Sequence, residues 1–347
     1  MVFTTTVSKV RNVEEALTNG LLLMEHPAVE SSESRNGAVR VWPGPAITET
    51  ANPMERVLFN PLRDANPVFH LFESLWMLSG RNDLPWLAQF NKRMAEYSDD
   101  GGKTQPAAYG HRWRAHFMYD QLVPIIKELR DNPTSRRVVL AMWDADCDMD
   151  KALHGSKDVP CNTHCYFTVA DGKLNMGVIC RSNDILWGAH GANAVHFSIL
   201  LEYVAVQAGY KVGTMVQLSW NYHLYEGVMK VPILAMADAA RDYYANGDTT
   251  ITPLFSQAAM PLFERDLPVF MDFAEPKNNP SQSMPRRFKH APELEHPFLR
   301  DVALPMLRSW DFFKAADLFG AASFAAAIDG DWGKATAEFM QRRLDRK

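Results

Sequence analysis

The stretch VPCNTHCYFTVADGKLNMGVICRS, residues 159–182, decides the fold class. On both sides of Asp171-Gly172 apolar and polar residues alternate, which is the period of a half-buried strand, and Asp-Gly is a two-residue hairpin signal. The stretch therefore predicts two antiparallel strands. Farther out, ANAVHFSILLEYVAVQAGYKVG (192–213) reads as a buried helix that stops near Gly209. NPVFHLFESLWMLS (66–79) reads as a strongly apolar helix with Gly80 placed to end it. Residues 12–26 and 120–131 also read as helices, and RRVVLAMW (136–143) and TMVQLSWNYHLY (214–225) as strands. Ser34–Gly37 reads as a turn, and residues 98–104 and 144–158 as loops. Hairpins with separate helices favour an α+β fold over a doubly wound one. After residue 275 a proline-rich polar connection leads into an alanine-rich tail of two or three helices. The expected division is a mixed body, residues 1–275, and a helical C-terminal extension, residues 276–347.

The composition, 47% hydrophobic and 22% charged over 347 residues, excludes a disordered chain and allows a sizeable core. A net charge of -5 excludes a broad basic field for nucleic acid, but leaves room for a small anion held by local arginines. No apolar run approaches the roughly 20 residues of a membrane helix. MVFTTTVSKVRNVEEALTNG lacks the apolar centre of a signal peptide, so the expected compartment is the cytoplasm, with no membrane partner. There Cys147, Cys161, Cys165 and Cys180 are expected as thiols rather than as a disulfide framework.

Cys161, His164 and Cys165 suggest a metal at first sight. On a strand, however, His164 and Cys165 face opposite sides, and no second pair follows at zinc-site spacing, so no metal is expected. Cys165 and Cys180 read as small buried hydrophobes. Cys161 differs, because it follows Val-Pro where a loop enters a strand. A nearby cation can make such a thiol a nucleophile. The turn at Asp171-Gly172 brings Arg181 back beside it, since 161 and 181 are nearly equidistant from the turn.

The run Pro160-Cys161, a hairpin with ADGKL, then RSNDILWG resembles the thymidylate synthase and pyrimidine nucleotide hydroxymethylase family. The interval from Cys161 to Arg181 fits without a gap. Asn193 sits one position late, yet keeps its spacing to His223 and Tyr225 in NYHLY, which implies one inserted residue in GAHGAN. Arg35 in SRNG, Glu73 in FESLWMLSG, Tyr109 in AAYGHRW and Arg136-Arg137 in SRRVVLAMW follow the family order. The match spans roughly residues 12–230, and seven ordered motifs are far more specific than one.

The resemblance implies a thymidylate-synthase-like mixed sheet with packed helices. It also implies one-carbon transfer from 5,10-methylenetetrahydrofolate to a pyrimidine deoxynucleoside monophosphate. Cys161 would attack carbon 6 of the base. Arg35, Arg181 and Ser182 would hold the phosphate, with Arg136 and Arg137 reaching it from the other subunit of a homodimer. Asn193 would read the base edge, and as an amide it favours uracil, hence dUMP, where the cytosine enzymes carry an acid. His223 and Tyr225 would bind the sugar, Asp184 and Gly188 the folate, with Asp184 also counted among the catalytic residues, and Tyr109 would help remove the proton from carbon 5. Glu73 stands out by physics alone. A carboxylate among Phe69, Phe72, Trp76 and Met77 is costly unless paired or protonated, which suits proton traffic at the base carbonyl or at a water.

Three departures bear on the product. Asn162 stands where synthases usually carry histidine, the tryptophans of the synthases' folate pocket have no clear equivalents in NKRMAEYSDDGG, and the tail that closes over folate is replaced by FMQRRLDRK. A more polar rim favours water over hydride at the exocyclic carbon, so 5-hydroxymethylation of dUMP is expected ahead of reductive methylation to dTMP. A non-catalytic nucleotide-binding paralogue is the alternative of another class. A Cys161–His164 hydrolase is weaker, because adjacent strand positions orient those side chains poorly.

Overall fold

The computed structural model describes residues 3–276 and 288–346. In chain order the strands are β1 (Thr6–Val10), β2 (Glu30–Ser34), β3 (Gly37–Val41), β4 (Ala46–Thr50), β5 (Val139–Ala141), β6 (Asn162–Ala170), β7 (Lys173–Cys180), β8 (Asn183–Asp184), β9 (Lys211–Ser219) and β10 (Tyr222–Tyr225). The helices are α1 (Val13–Leu23), α2 (Pro67–Leu78), α3 (Leu84–Ala88), the single turn α4 (Tyr109–His111), α5 (Leu122–Asp131), α6 (Ala145–Leu153), α7 (Asn193–Ala208), α8 (Ile233–Asp238), α9 (Met260–Phe273), α10 (Leu304–Lys314), α11 (Leu318–Ala326) and α12 (Gly330–Leu344). One sheet has the order β1-β4-β9-β7-β6-β5 and mixes parallel with antiparallel pairs; a smaller one has the order β2-β3-β10-β8. This is an α+β chain.

The β6–β7 hairpin forms where the Asp-Gly pair requires it. Asp171 and Gly172 both take positive φ, 50° and 69°, as a tight turn matching strand twist demands. Pairing runs from Ala170 opposite Lys173 to Asn162 opposite Cys180, with one irregularity between Asn162 and His164. Helix α2 starts where the Asn66 side chain accepts the Phe69 N–H at 3.1 Å, with Pro67 at its first position, and all of its residues are buried. Helix α7 ends at Gly209, whose φ of +90° is the left-handed cap.

Three local expectations change. The run 214–225 is two strands in two different sheets, because the chain leaves β9 at Trp220-Asn221 and re-enters as β10. The expected loop 144–158 contains α6, started by the Asp144 carboxylate accepting the Asp146 N–H at 3.1 Å. RRVVLAMW is strand only over Val139–Ala141.

The core lies between α2, α7 and the large sheet, and the tail helices enter it: Met306, Trp310, Phe339 and Met340 belong to the same buried cluster as Phe72 and Phe197. The proline-rich connection after residue 275 falls mostly on residues 277–287, outside the described residues. The three helices α10, α11 and α12 match the expected helical tail. Behind α7 a buried polar hub joins tail to body. Arg56 and Glu202, 2% and 1% exposed, pair at 2.7 Å, and Glu202 also accepts the N–H groups of Leu254 and Phe255. Asp331, at the start of α12, accepts from Thr252 N–H and the Tyr244 hydroxyl. Among the described residues no helix is long and apolar enough to cross a membrane.

Removing one member of a buried pair strands the other charge. Arg56→Met is therefore expected to cost about 3–5 kcal/mol in urea unfolding, far more than loss of the exposed Lys9–Glu49 pair.

Candidate active site

Cys161 closes the loop before β6, and Arg181 directly follows β7. The Arg181 backbone N–H donates to the Cys161 carbonyl at 2.9 Å. Its guanidinium donates to the carbonyls of Pro160 and Val159, at 2.8 and 3.0 Å, which leaves Nη2 3.9 Å from Cys161 Sγ. Arg35, in the β2–β3 turn, donates to the Ser156 carbonyl at 2.7 Å and so reaches the same loop. Burial pushes the Cys161 thiol up; Arg181 and Arg35 pull against it, Asp158 adds to burial, and the net displacement is upward. The resting side chain is a thiol at neutral pH, poised beside two cations.

Tyr109 opens α4, its ring 5.7 Å from that of Phe197 on α7. Burial holds its hydroxyl well above the usual phenol range; the neighbouring Cys161 and Cys180 add to this, while Asn162 opposes it. A neutral phenol thus lies against Cys161 and the fully buried Asn162.

The segment after Arg181 forms the facing wall. The run GAHGAN, where one inserted residue is expected, lies in the π-helical segment Ile185–Ala192, which is kinked at His190 and Gly191 and where the Asn193 N–H bonds back to the Gly188 carbonyl. This wider turn keeps Asn193 at the head of α7. The Asn193 amide N–H donates to Asn183 Oδ1 at 3.1 Å, and Asn183 in turn donates to the Ser219 hydroxyl at 2.9 Å. The Asn193 amide is thereby oriented, while its oxygen and second N–H bond to no described residue. Gly188 is required by space: a Cβ there would meet Asn183 Oδ1 at 2.8 Å.

Asp184 accepts the Trp187 N–H through Oδ2 at 2.6 Å, while its Oδ1 is sealed and has no hydrogen-bond partner among the described residues. Burial raises the Asp184 carboxyl and lowers the His223 imidazole, and each pulls the other back toward ionisation. His223 lies across from Asp184 in the β8–β10 pairing, with Tyr225 edge-on to it at 5.0 Å. Ser182 sits between Arg181 and this wall, half-buried.

Glu73 is 6% exposed on α2, and the His196 Nε2 from α7 stands 3.0 Å from its Oε2. Arg136 and Arg137 are exposed before β5, and neither guanidinium bonds to a described residue of the site. His164 and Cys165 part as their strand positions demand, Cys165 being fully buried. Elsewhere His116, Asp144 and Cys147 come within 4.8 Å of one another, but the Arg112 guanidinium lies 3.1 Å from His116 Nε2, where a cation would be repelled.

Four participants were absent from the sequence reading. Asn183 orients Asn193. Arg63 donates to the Leu186 carbonyl at 2.9 Å under the π-turn, and Arg93 stacks 4.1 Å over the Trp187 ring. His196 carried the same signal as Glu73, a polar group within a helix buried along nearly its whole length.

A family model described as thymidylate synthase matches residues 65–246. The deoxyuridylate hydroxymethyltransferase of Pseudomonas phage M6 is 43% identical over 354 residues, covering 97% of this chain and 94% of that protein. The deoxyuridylate hydroxymethyltransferase of Bacillus phage SP01 is 37% identical over 191 residues, 52% of this chain and 49% of that protein.

Because burial outweighs the arginines at Cys161, its alkylation by iodoacetamide is expected to keep accelerating as pH rises through the ordinary thiol range, without a plateau below it. Peptide mass spectrometry of Cys161 at a series of pH values checks this. Arg181→Leu removes the larger of the two opposing cations and is expected to slow alkylation further.

Proposed function

The chain belongs to the thymidylate synthase family, and from that premise we propose that it converts dUMP to 5-hydroxymethyl-dUMP by one-carbon transfer through a covalent Cys161 adduct. The observation that carries the reading is the Cys161–Arg181 pair held by the hairpin, in a chain matched nearly end to end by a deoxyuridylate hydroxymethyltransferase.

The one-carbon donor implied by the family is 5,10-methylenetetrahydrofolate. The residues present fit its pterin: Asp184 Oδ1 is a buried acceptor lacking a donor, and Gly188 gives the wall room. When bound, it supplies one carbon at the oxidation level of formaldehyde and departs as tetrahydrofolate. This chain does the rest. Arg35, Arg181 and Ser182 hold the nucleotide phosphate, as forked arginine donors suit phosphate oxygens. Binding brings carbon 6 of the pyrimidine to Cys161, whose thiolate adds there and makes carbon 5 nucleophilic. Asn193 accepts the ring N–H and donates to the adjacent carbonyl, while His223 and Tyr225 hold the sugar. Tyr109, beside Cys161, assists removal of the carbon 5 proton, and Glu73 handles the proton of the incoming water.

The outer face of the large sheet carries exposed apolar side chains, Val7 58%, Val139 41% and Tyr166 46%, on the same side of the paired strands as the exposed Lys9–Glu49 pair. A face of this kind suits a second copy, and Arg136 and Arg137 at its edge then reach the phosphate in the other subunit. Residues 1–275 carry the chemistry and 276–347 are the extension, whose helices α10 and α12 pack against α2. The enzyme works in the cytoplasm, where its cysteines stay reduced.

Incubated with dUMP and methylenetetrahydrofolate, the protein is expected to give a nucleotide heavier by one CH₂O, with tetrahydrofolate released. A product heavier by one CH₂, with dihydrofolate, would mean a synthase. Asn193→Asp is expected to lower kcat/KM for dUMP by about tenfold or more and to raise it for dCMP, because an acid offers the wrong pattern to a ring N–H and carbonyl.

A further inference from the structure

We infer that His196 is a positioning residue for this reaction, acting through Glu73 at the step in which water enters. The inference rests on the hydroxymethylation proposed above. Glu73 sits on a helix buried along its whole length, so its charge needs a partner. Of its two oxygens, only Oε2 is both sealed from solvent and without a well-directed hydrogen bond, and this is the oxygen that His196 Nε2 approaches at 3.0 Å. His196 is itself 3% exposed, and neither of its ring nitrogens makes a hydrogen bond to a described residue, so Nε2 meets Glu73 at ion-pair distance with no other group competing for it. A buried imidazole bearing on a single carboxylate oxygen leaves the other oxygen free for the reaction.

The placement is specific. His196 lies three residues beyond Asn193, so one face of α7 carries both the base-reading amide and the group that steadies Glu73. The other cationic or titratable groups nearby do not take its role. His70, one turn before Glu73 on α2, is held well below the usual imidazole range by burial, with Arg63 and His196 adding to this, and so stays neutral. Arg63 is engaged with the Leu186 carbonyl. Asn162, beside the nucleophile, has no ring to offer.

The chemistry asks for such a pair. Water adds to the exocyclic methylene of the Cys161-bound nucleotide, forming a C–O bond, and its proton goes to Glu73. The displaced π electrons return through the ring, restore the carbon 5–carbon 6 double bond and expel the Cys161 thiolate from carbon 6. Glu73 then returns the proton to the thiolate. His196 touches none of the reacting atoms; it fixes the carboxylate that does.

The test is a double-mutant cycle on product formation with Glu73→Gln, His196→Gln and the double variant. His196→Gln is expected to lower kcat by about tenfold or more while KM for dUMP stays within about twofold. The double variant is expected to be no slower than Glu73→Gln alone, since His196 acts only through that carboxylate. Losses that multiply, or a His196→Gln enzyme with wild-type kcat, overturn the inference. The wild-type product is identified in the same assay, so a wild type that forms dTMP contradicts the proposed function, while the coupling is still read on that turnover. A second measurement keeps the native fold: in otherwise wild-type protein, Glu73→Gln is expected to shift the His196 imidazole ¹⁵N resonances, and unshifted resonances overturn the inference.

Discussion

The arrangement depends on one interaction, the return of Arg181 across a β-hairpin onto the loop that carries Cys161. Its guanidinium donates to two successive carbonyls, Val159 and Pro160, and its backbone N–H to a third, that of Cys161. These bonds fix the thiol at a strand entrance with a cation 3.9 Å away. Everything downstream is phased from that point. Ser182 follows, Asn183 and Asp184 turn into the small sheet, and the π-turn delivers Asn193 to the head of α7.

Two buried helices then act as the frame. Helix α2 brings Glu73 and α7 brings His196 and Asn193, and both are packed so densely that a charge can survive only in a defined pair. The tail helices extend the same frame, since Trp310 donates to the Gln89 carbonyl and α12 is tied through Asp331 to Thr252 and Tyr244. At the far end of α12, Arg342 and Arg343 bond Asp64, beside the Arg63 that supports the π-turn. The tail helices are thus connected to the wall of the site through ordinary packing and ion pairs.

Much of this was legible because it is local. An Asp-Gly turn between alternating runs specifies its own hairpin, and an unbroken apolar run with Asn66-Pro67 before it and Gly80 after it specifies α2. The pairing of Cys161 with Arg181 followed from counting residues about the turn. Strands β1 to β4 were not legible. Glu30–Ser34 reads ESSES, with no apolar alternation at all, and its strand state comes from pairing with β3 at an exposed edge. The split of 214–225 between two sheets is likewise set by distant partners, β4 and β7 for one half and β3 and β8 for the other. His196 was missed for a related reason: it is one polar residue in a buried helix, and only the facing helix shows that a carboxylate waits for it.

The most direct test of Cys161 as nucleophile is the mass of the intact protein after incubation with 5-fluoro-dUMP and methylenetetrahydrofolate. Fluorine at carbon 5 cannot leave as a proton, so the adduct should stall with the nucleotide and the one-carbon carrier attached. The expected result is a protein heavier by both molecules, with the modification on the Cys161 peptide and none in Cys161→Ser. An unmodified protein, or an adduct on another residue, would contradict a reaction built around Cys161 and Arg181.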